Sequence, residues 1–193
     1  MKKEIKYVIA GVVGAVLLAS IIWGSLLPFA RSRRFIAALR AFPQIQSIEQ
    51  FTAIFDSVFN FYAPVGDEEI AKFLSNDITN VVAQNTVPEG PARMLTEYID
   101  GHLFKDDVRH LLTSGQLYYF LWKRFAKEDD FKKAEEYFLK AESIGPELPP
   151  PLYALLSLYR DKGDRQSVVA VGEKILALWP NDAAVAGEIG RKN

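Results

Sequence analysis

Residues 7–27, YVIAGVVGAVLLASIIWGSLL, run for 21 positions without a charged side chain. A helix rises about 1.5 Å per residue, so roughly 20 residues cross the ~30 Å hydrocarbon layer of a bilayer. Lipid offers no hydrogen bonds to a backbone, which leaves the helix as the single-segment way across. The run therefore predicts a transmembrane anchor over residues 1–30. A cleaved signal peptide has a shorter apolar stretch, about 7–15 residues, ahead of a small-x-small site. Pro28-Phe29-Ala30 puts proline at the first small position, which favours an uncleaved anchor. Lys2, Lys3 and Lys6 before the run, Trp23 near its end, and Arg31, Arg33 and Arg34 after it suit the headgroup level. The expected location is a cell (plasma or inner) membrane, crossed once. Three lysines and the α-amino group on one side nearly balance Arg31, Arg33, Arg34 and Arg40 on the other. No acid dilutes the arginines before Glu49, which tips the expectation towards a cytoplasmic domain.

From residue 41 onward the chain holds 16 basic and 23 acidic residues, a net charge of −7. Nucleic-acid binding needs clustered Lys and Arg against phosphate, so an acidic domain of this kind is not expected to bind it. The absence of cysteine excludes disulfides, thiolate metal sites and cysteine nucleophiles.

Beyond the anchor the periodicity is helical and no sustained alternation suggests strands. Residues 31–41 carry Phe35, Ile36 and Leu39 at helical spacing, and Pro43 ends the segment. Ser47 reads as the N-cap of the next helix, with Gln50 as its capping-box partner and Phe51, Ile54, Phe55, Val58 and Phe59 as its apolar stripe. Asp67, Glu68 and Glu69 open a helix over 67–83, where acids favour the dipole. Pro91 suits the first position of a following helix. Helix continues to about residue 113, with interruptions expected at Gly101 and Gly115.

Pro146 and Pro180 lie 34 residues apart. Counting from Gly115, Tyr118, Leu121 and Phe125 occupy positions 4, 7 and 11, Ala134, Phe138 and Ala141 positions 20, 24 and 27, and Pro146 position 32. Small residues at 20 and 27 let two helices approach closely, large ones fill the space between them, and proline stops the second helix. Residues 149–182 repeat the scheme with Leu152, Leu155, Tyr159 and Pro180, but place Val168, Gly172 and Ile175 at the second-helix positions. Trp122 at position 8, normally small, is a further departure. Gly163-Asp164 suits the turn within the second unit, and Pro149, Pro150 and Pro151 a rigid turn between units.

This pattern resembles the tetratricopeptide repeat. Together with the anchor, the resemblance implies an all-α fold: an N-terminal transmembrane helix followed by an α-hairpin solenoid. The expected divisions are degenerate hairpins over 31–113, one unit over 115–148, a second over 149–182, and a short closing helix and tail over 183–193. More widely, the basic exit FARSRRFIAALRA, the aromatic helix IEQFTAIFDSVFNFY, then GDEEIAKFL and two repeats, resemble the tail of bacterial O-antigen ligase-type membrane proteins. The catalytic groups of that family lie outside the resembling part, so the resemblance implies partnership with envelope-glycan machinery and no ligase activity.

Tetratricopeptide units bind extended peptides along the face of their first helices. By position, the resemblance assigns that face to Gln116, Tyr119, Lys123 and Lys127, and to Tyr153, Ser157, Arg160 and Asp161. Lys123, Lys127 and Arg160 would meet an acidic peptide or a terminal carboxylate. His102, Asp106 and His110 are spaced four apart but lack a fourth ligand, so no metal site is expected. Acid clusters at Glu128, Asp129 and Asp130 and at Asp67 to Glu69 read as helix starts and solvated turns. No nucleotide, hydrolase or zinc-protease motif is present, so neither a cofactor, a small-molecule substrate nor an enzymatic activity is expected. The resulting expectation is a membrane-anchored adaptor that binds other proteins. An accessory part of an O-antigen ligase or polysaccharide polymerase system, and an anchored periplasmic chaperone-like protein, are the alternatives.

Overall fold

The computed structural model describes residues 3–190. Lys2, the side chain of Lys3, and the tail residues Lys192 and Asn193 lie outside the described residues. Helices account for the secondary structure described, and no strand occurs among these residues. The chain divides into two units, residues 1–70 and 71–193.

The first unit begins with α1 (Lys3–Ile21), a π-helical turn (Ile22–Leu26) and α2 (Leu27–Ala41), which run on without a break. The π turn has a local cause. Pro28 has no N–H, and its ring crowds the carbonyl four residues back, which is that of Gly24. Widening the preceding turn, so that the Leu27 N–H reaches the Ile22 carbonyl, relieves the crowding without ending the helix. This helix is long and apolar enough to cross a membrane, and among the described residues none of its apolar window is buried.

Phe42–Gln44 forms a 3-10 turn, and α3 (Ile48–Phe59) packs back along α2. The Ser47 hydroxyl accepts the Gln50 N–H at 3.2 Å and caps α3. The Gln50 side chain reaches past the cap to accept the Gln46 N–H at 3.0 Å. At one end of the hairpin, Phe42 meets Phe51 and Phe55 edge-on, with ring centroids 6.0 and 6.1 Å apart. At the other end stands Arg31. Its side chain is 2% exposed and turned inward, donating to the carbonyls of Val58 and Phe59 at 3.3 Å each and pairing with Asp67. Those carbonyls lie at the C-terminal end of α3, where Val58 also accepts the Phe61 N–H at 3.3 Å, and Arg31 adds a charged donor to them. Arg33 and Arg34 are exposed and sit over the rings of Phe29 and Phe61, at 6.0 and 4.3 Å. Lys6 and Trp23 are exposed as well.

The helix α4 (Asp67–Val82) contains the boundary between the units, and its three leading acids occupy its first turn as expected. The second unit continues with α5 (Glu89–Asp100), α6 (Val108–Phe125), α7 (Glu128–Ile144), α8 (Pro149–Lys162), α9 (Arg165–Leu178) and α10 (Ala183–Gly190). Each helix from α5 to α10 packs on the next, and α6 also touches α8. Pro91 is the third residue of α5 rather than its first. The first four N–H groups of a helix lack internal partners, so proline fits there too. The chain does break at Gly101, and Asp107 caps α6 by accepting the N–H groups of Arg109 (2.8 Å) and His110 (3.3 Å).

Gly115 does not interrupt α6. A Cβ there would overlap the Phe138 ring, so the glycine is what lets α6 and α7 approach. Ala134, Phe138 and Ala141 of α7 are buried, as are Tyr118 and Leu121 of α6, which packs on it. Gly163 ends α8 at φ +79°, which glycine adopts without strain, and Asp164 caps α9 through Ser167. Pro149, Pro150 and Pro151 open α8 itself rather than forming the turn before it. At Gly172 a Cβ would overlap Ile189, so the missing side chain of this position admits α10.

Asp130 stands at the start of α7 as expected, but it is buried rather than solvated. Arg93 of α5 grips both of its oxygens, at 2.7 and 2.8 Å. Arg93 also bonds Glu89 at 3.0 Å.

Candidate functional groove

The first helices of the two hairpins, α6 and α8, present one face together because α6 touches α8 directly. Their side chains line a groove of about 370 Å³ formed by Gln116, Tyr119, Tyr153, Ala154, Ser157 and Arg160, with Phe138 and Pro150. Gln116, Tyr119, Tyr153, Ser157 and Arg160 are thus brought together. Lys123 lies beyond the groove's lining and Lys127 elsewhere. Lys127 pairs with Glu89, whose carboxyl is held below its usual range by hydrogen bonds from Lys127 and Arg93. Pro150 and Ala154 were not assigned from the sequence. Both lie on the face of α8 that carries Tyr153 and Ser157, and proline in a first helical turn keeps its side chain available to a surface.

Asp161 organises one end of the groove. It accepts the Tyr119 hydroxyl at 2.5 Å and the Lys123 ammonium at 2.7 Å, and Arg160 stands 3.8 Å away. Burial pushes the Asp161 carboxyl up, but the bonds from Lys123 and Tyr119 outweigh it and leave the group below its usual range. Burial and the bond to Asp161 push Tyr119 up to about 12. The Tyr153 hydroxyl bonds Asp182, which raises the phenol and lowers the carboxyl. Arg160 lies 3.7 Å from Glu188, and its bond to the Ser157 hydroxyl is long, 3.4 Å.

The three cations expected to meet an acidic ligand therefore differ. Lys123 and Lys127 are held by Asp161 and Glu89 within the protein, whereas both ion-pair contacts of Arg160 exceed hydrogen-bond length. With an amide, two phenols and a hydroxyl, the groove offers hydrogen bonds to an extended backbone and one guanidinium to a carboxylate.

The histidines are used locally. His102 Nδ1 lies 2.9 Å from the Tyr98 carbonyl. His110 is buried, accepts the Phe104 N–H at 3.0 Å and stacks on the Phe104 ring. No group of three or more candidate metal ligands occurs among the described residues. No protein-family model, curated protein or solved structure matches the chain.

Proposed function

We propose that this chain is a single-pass, membrane-anchored scaffold with a tetratricopeptide-like solenoid, which binds another protein and performs no catalysis. The carrying observation is the apolar helix α1, whose apolar window shows no burial among the described residues and which runs on into the helix that follows it. Apolar side chains over such a length need lipid or a partner around them. The successive hairpins α6–α7 and α8–α9, with their α6–α8 contact, support the repeat reading. The groove between first helices supports an extended peptide as ligand. Anchoring raises the local concentration of whatever the groove holds, which turns later encounters on the membrane into near-intramolecular ones. The likeness of the sequence to O-antigen ligase-type tails makes envelope-glycan machinery the first partner class to test.

The test has two parts. A dual topology reporter fused after Asn193 assigns the side of the membrane, and alkaline extraction tests integration. A photo-crosslinking residue at Tyr153 or Ser157 should give one discrete protein adduct that is lost with Arg160→Glu. Extraction of the intact chain into the soluble fraction, or adducts as diverse as those from exposed Leu139, would overturn the proposal.

A further inference from the structure

The α2–α3 hairpin turns the chain back towards its own anchor. Phe42 marks the far end, against Phe51 and Phe55. The near end is pinned by Arg31, which holds the Val58 and Phe59 carbonyls and Asp67, and by Arg34 stacked on Phe61. Arg31 lies four residues after Leu27, the last residue of the uncharged run, and so about 6 Å further along the helix axis. The interfacial layer on each side of a bilayer is about 5–8 Å deep. The loop over residues 60–66 is therefore delivered to headgroup depth.

This loop displays apolar side chains outward. Tyr62 is 66% exposed and Val65 61%, and Phe29 on α2 is exposed as well. Gly66, at φ +103°, turns the chain from Val65 into α4. Asp67, at the start of α4, has its charge met by Arg31, while exposed Arg33 and Arg34 suit lipid phosphates. A phenol on an apolar ring is at home at the boundary between headgroups and chains.

We infer that the 60–66 loop is a second membrane contact, inserting Tyr62 and Val65 into the headgroup layer of the bilayer that α1 crosses. The inference rests on the anchor reading above. Arg31 is the positioning residue: it sets the depth of the loop without touching lipid through its buried guanidinium.

The chain has no cysteine, so single cysteines report cleanly. Tyr62→Cys, Val65→Cys, Ala15→Cys and Lys174→Cys are each labelled with an environment-sensitive fluorophore in the full-length protein. Each is reconstituted in vesicles of phosphatidylethanolamine and phosphatidylglycerol. Lipids carrying nitroxides at the headgroup or deep in the chain, and aqueous iodide, serve as quenchers. The expected result is deep quenching at residue 15, headgroup quenching with a blue shift at 62 and 65, and iodide quenching alone at 174. Residues 62 and 65 behaving like 174 while 15 stays deep overturns the loop contact and leaves the anchor standing. Iodide quenching at 15 overturns both. In an Arg31→Gln background the label at 62 should pass to iodide while that at 15 does not move. An unchanged depth at 62 would remove Arg31 from the argument.

Discussion

Replacing Arg93 with alanine strands the Asp130 carboxylate. That side chain is 2% exposed, and Arg93 supplies two of its hydrogen bonds, at 2.7 and 2.8 Å. Breaking a fully buried pair from one side costs about 3–5 kcal/mol. Two features reduce the figure here. Arg93 is itself 24% exposed, so water reaches part of the vacated space. Asp130 also lies in the first turn of α7, where the helix dipole supports a negative charge by about 0.3–1 kcal/mol. The expected loss is about 2–3 kcal/mol. Urea unfolding of the full-length protein in detergent micelles measures it, followed by the fluorescence of Trp122, which meets Phe131 edge-on at 5.2 Å, with Trp23 and Trp179 replaced by phenylalanine in every variant. The double variant Arg93→Ala with Asp130→Ala removes the stranded charge and should lose less than Arg93→Ala alone. A loss below about 1 kcal/mol for Arg93→Ala, within the range of exposed ion pairs, would refute the reasoning. So would a double variant weaker than either single one.

Gly115→Ala should destabilise by about 1–3 kcal/mol, because the overpacking against Phe138 exceeds the ~1 kcal/mol that alanine gains in a helix. Gly187→Ala, with open space around its Cβ, should be neutral or stabilising in the same unfolding assay. Asp107→Ala removes the acceptor for two N–H groups at the start of α6 and should cost about 1 kcal/mol, seen as a lower urea midpoint. The Tyr119–Asp161 bond should hold across a wide pH range. Its contribution from Asp161, whose carboxyl is lowered by folding, is present above the ordinary carboxylate range and fades as pH falls through the folded value. The contribution from Tyr119 is complete below the ordinary phenol range and is lost as pH rises through about 12. Tyrosinate absorbance compared between the wild type and Tyr119→Phe tests this; an ordinary phenol titration for Tyr119 would contradict it.

The sequence carried the local signals well and the long-range ones poorly. Ser47 as a cap, the break at Gly101 and the Gly163-Asp164 turn all follow from backbone chemistry within a few residues, which a linear reading captures. The tetratricopeptide resemblance, rather than spacing alone, named Gln116, Tyr119, Tyr153, Ser157 and Arg160 as one face, and these five side chains line one groove. The burial of Arg31 and Asp130 escaped a linear reading for one shared reason. Each belongs to a run of like charges that looks solvated, yet each sits in phase with an apolar stripe: Arg31 with Phe35 and Ala38, Asp130 with Ala134, Phe138 and Ala141. Their partners lie 27 and 37 residues away, at Val58 and Arg93, and periodicity within one helix says nothing about those. The uninterrupted helix through Pro28 was likewise hidden, since the widened turn at Ile22–Leu26 depends on backbone hydrogen bonding rather than on residue type.

The inward turn of Arg31 has a consequence for rotation. Arg31 stands on the same continuous helix as α1, so the angular setting of the α3 hairpin is locked in phase with the faces of α1. Adding or deleting one residue between Leu27 and Arg31 would swing Arg31 by about 100° around the axis and uncouple it from the Val58 and Phe59 carbonyls. A neighbour that grips one side of α1 would thereby also fix the compass bearing of the hairpin.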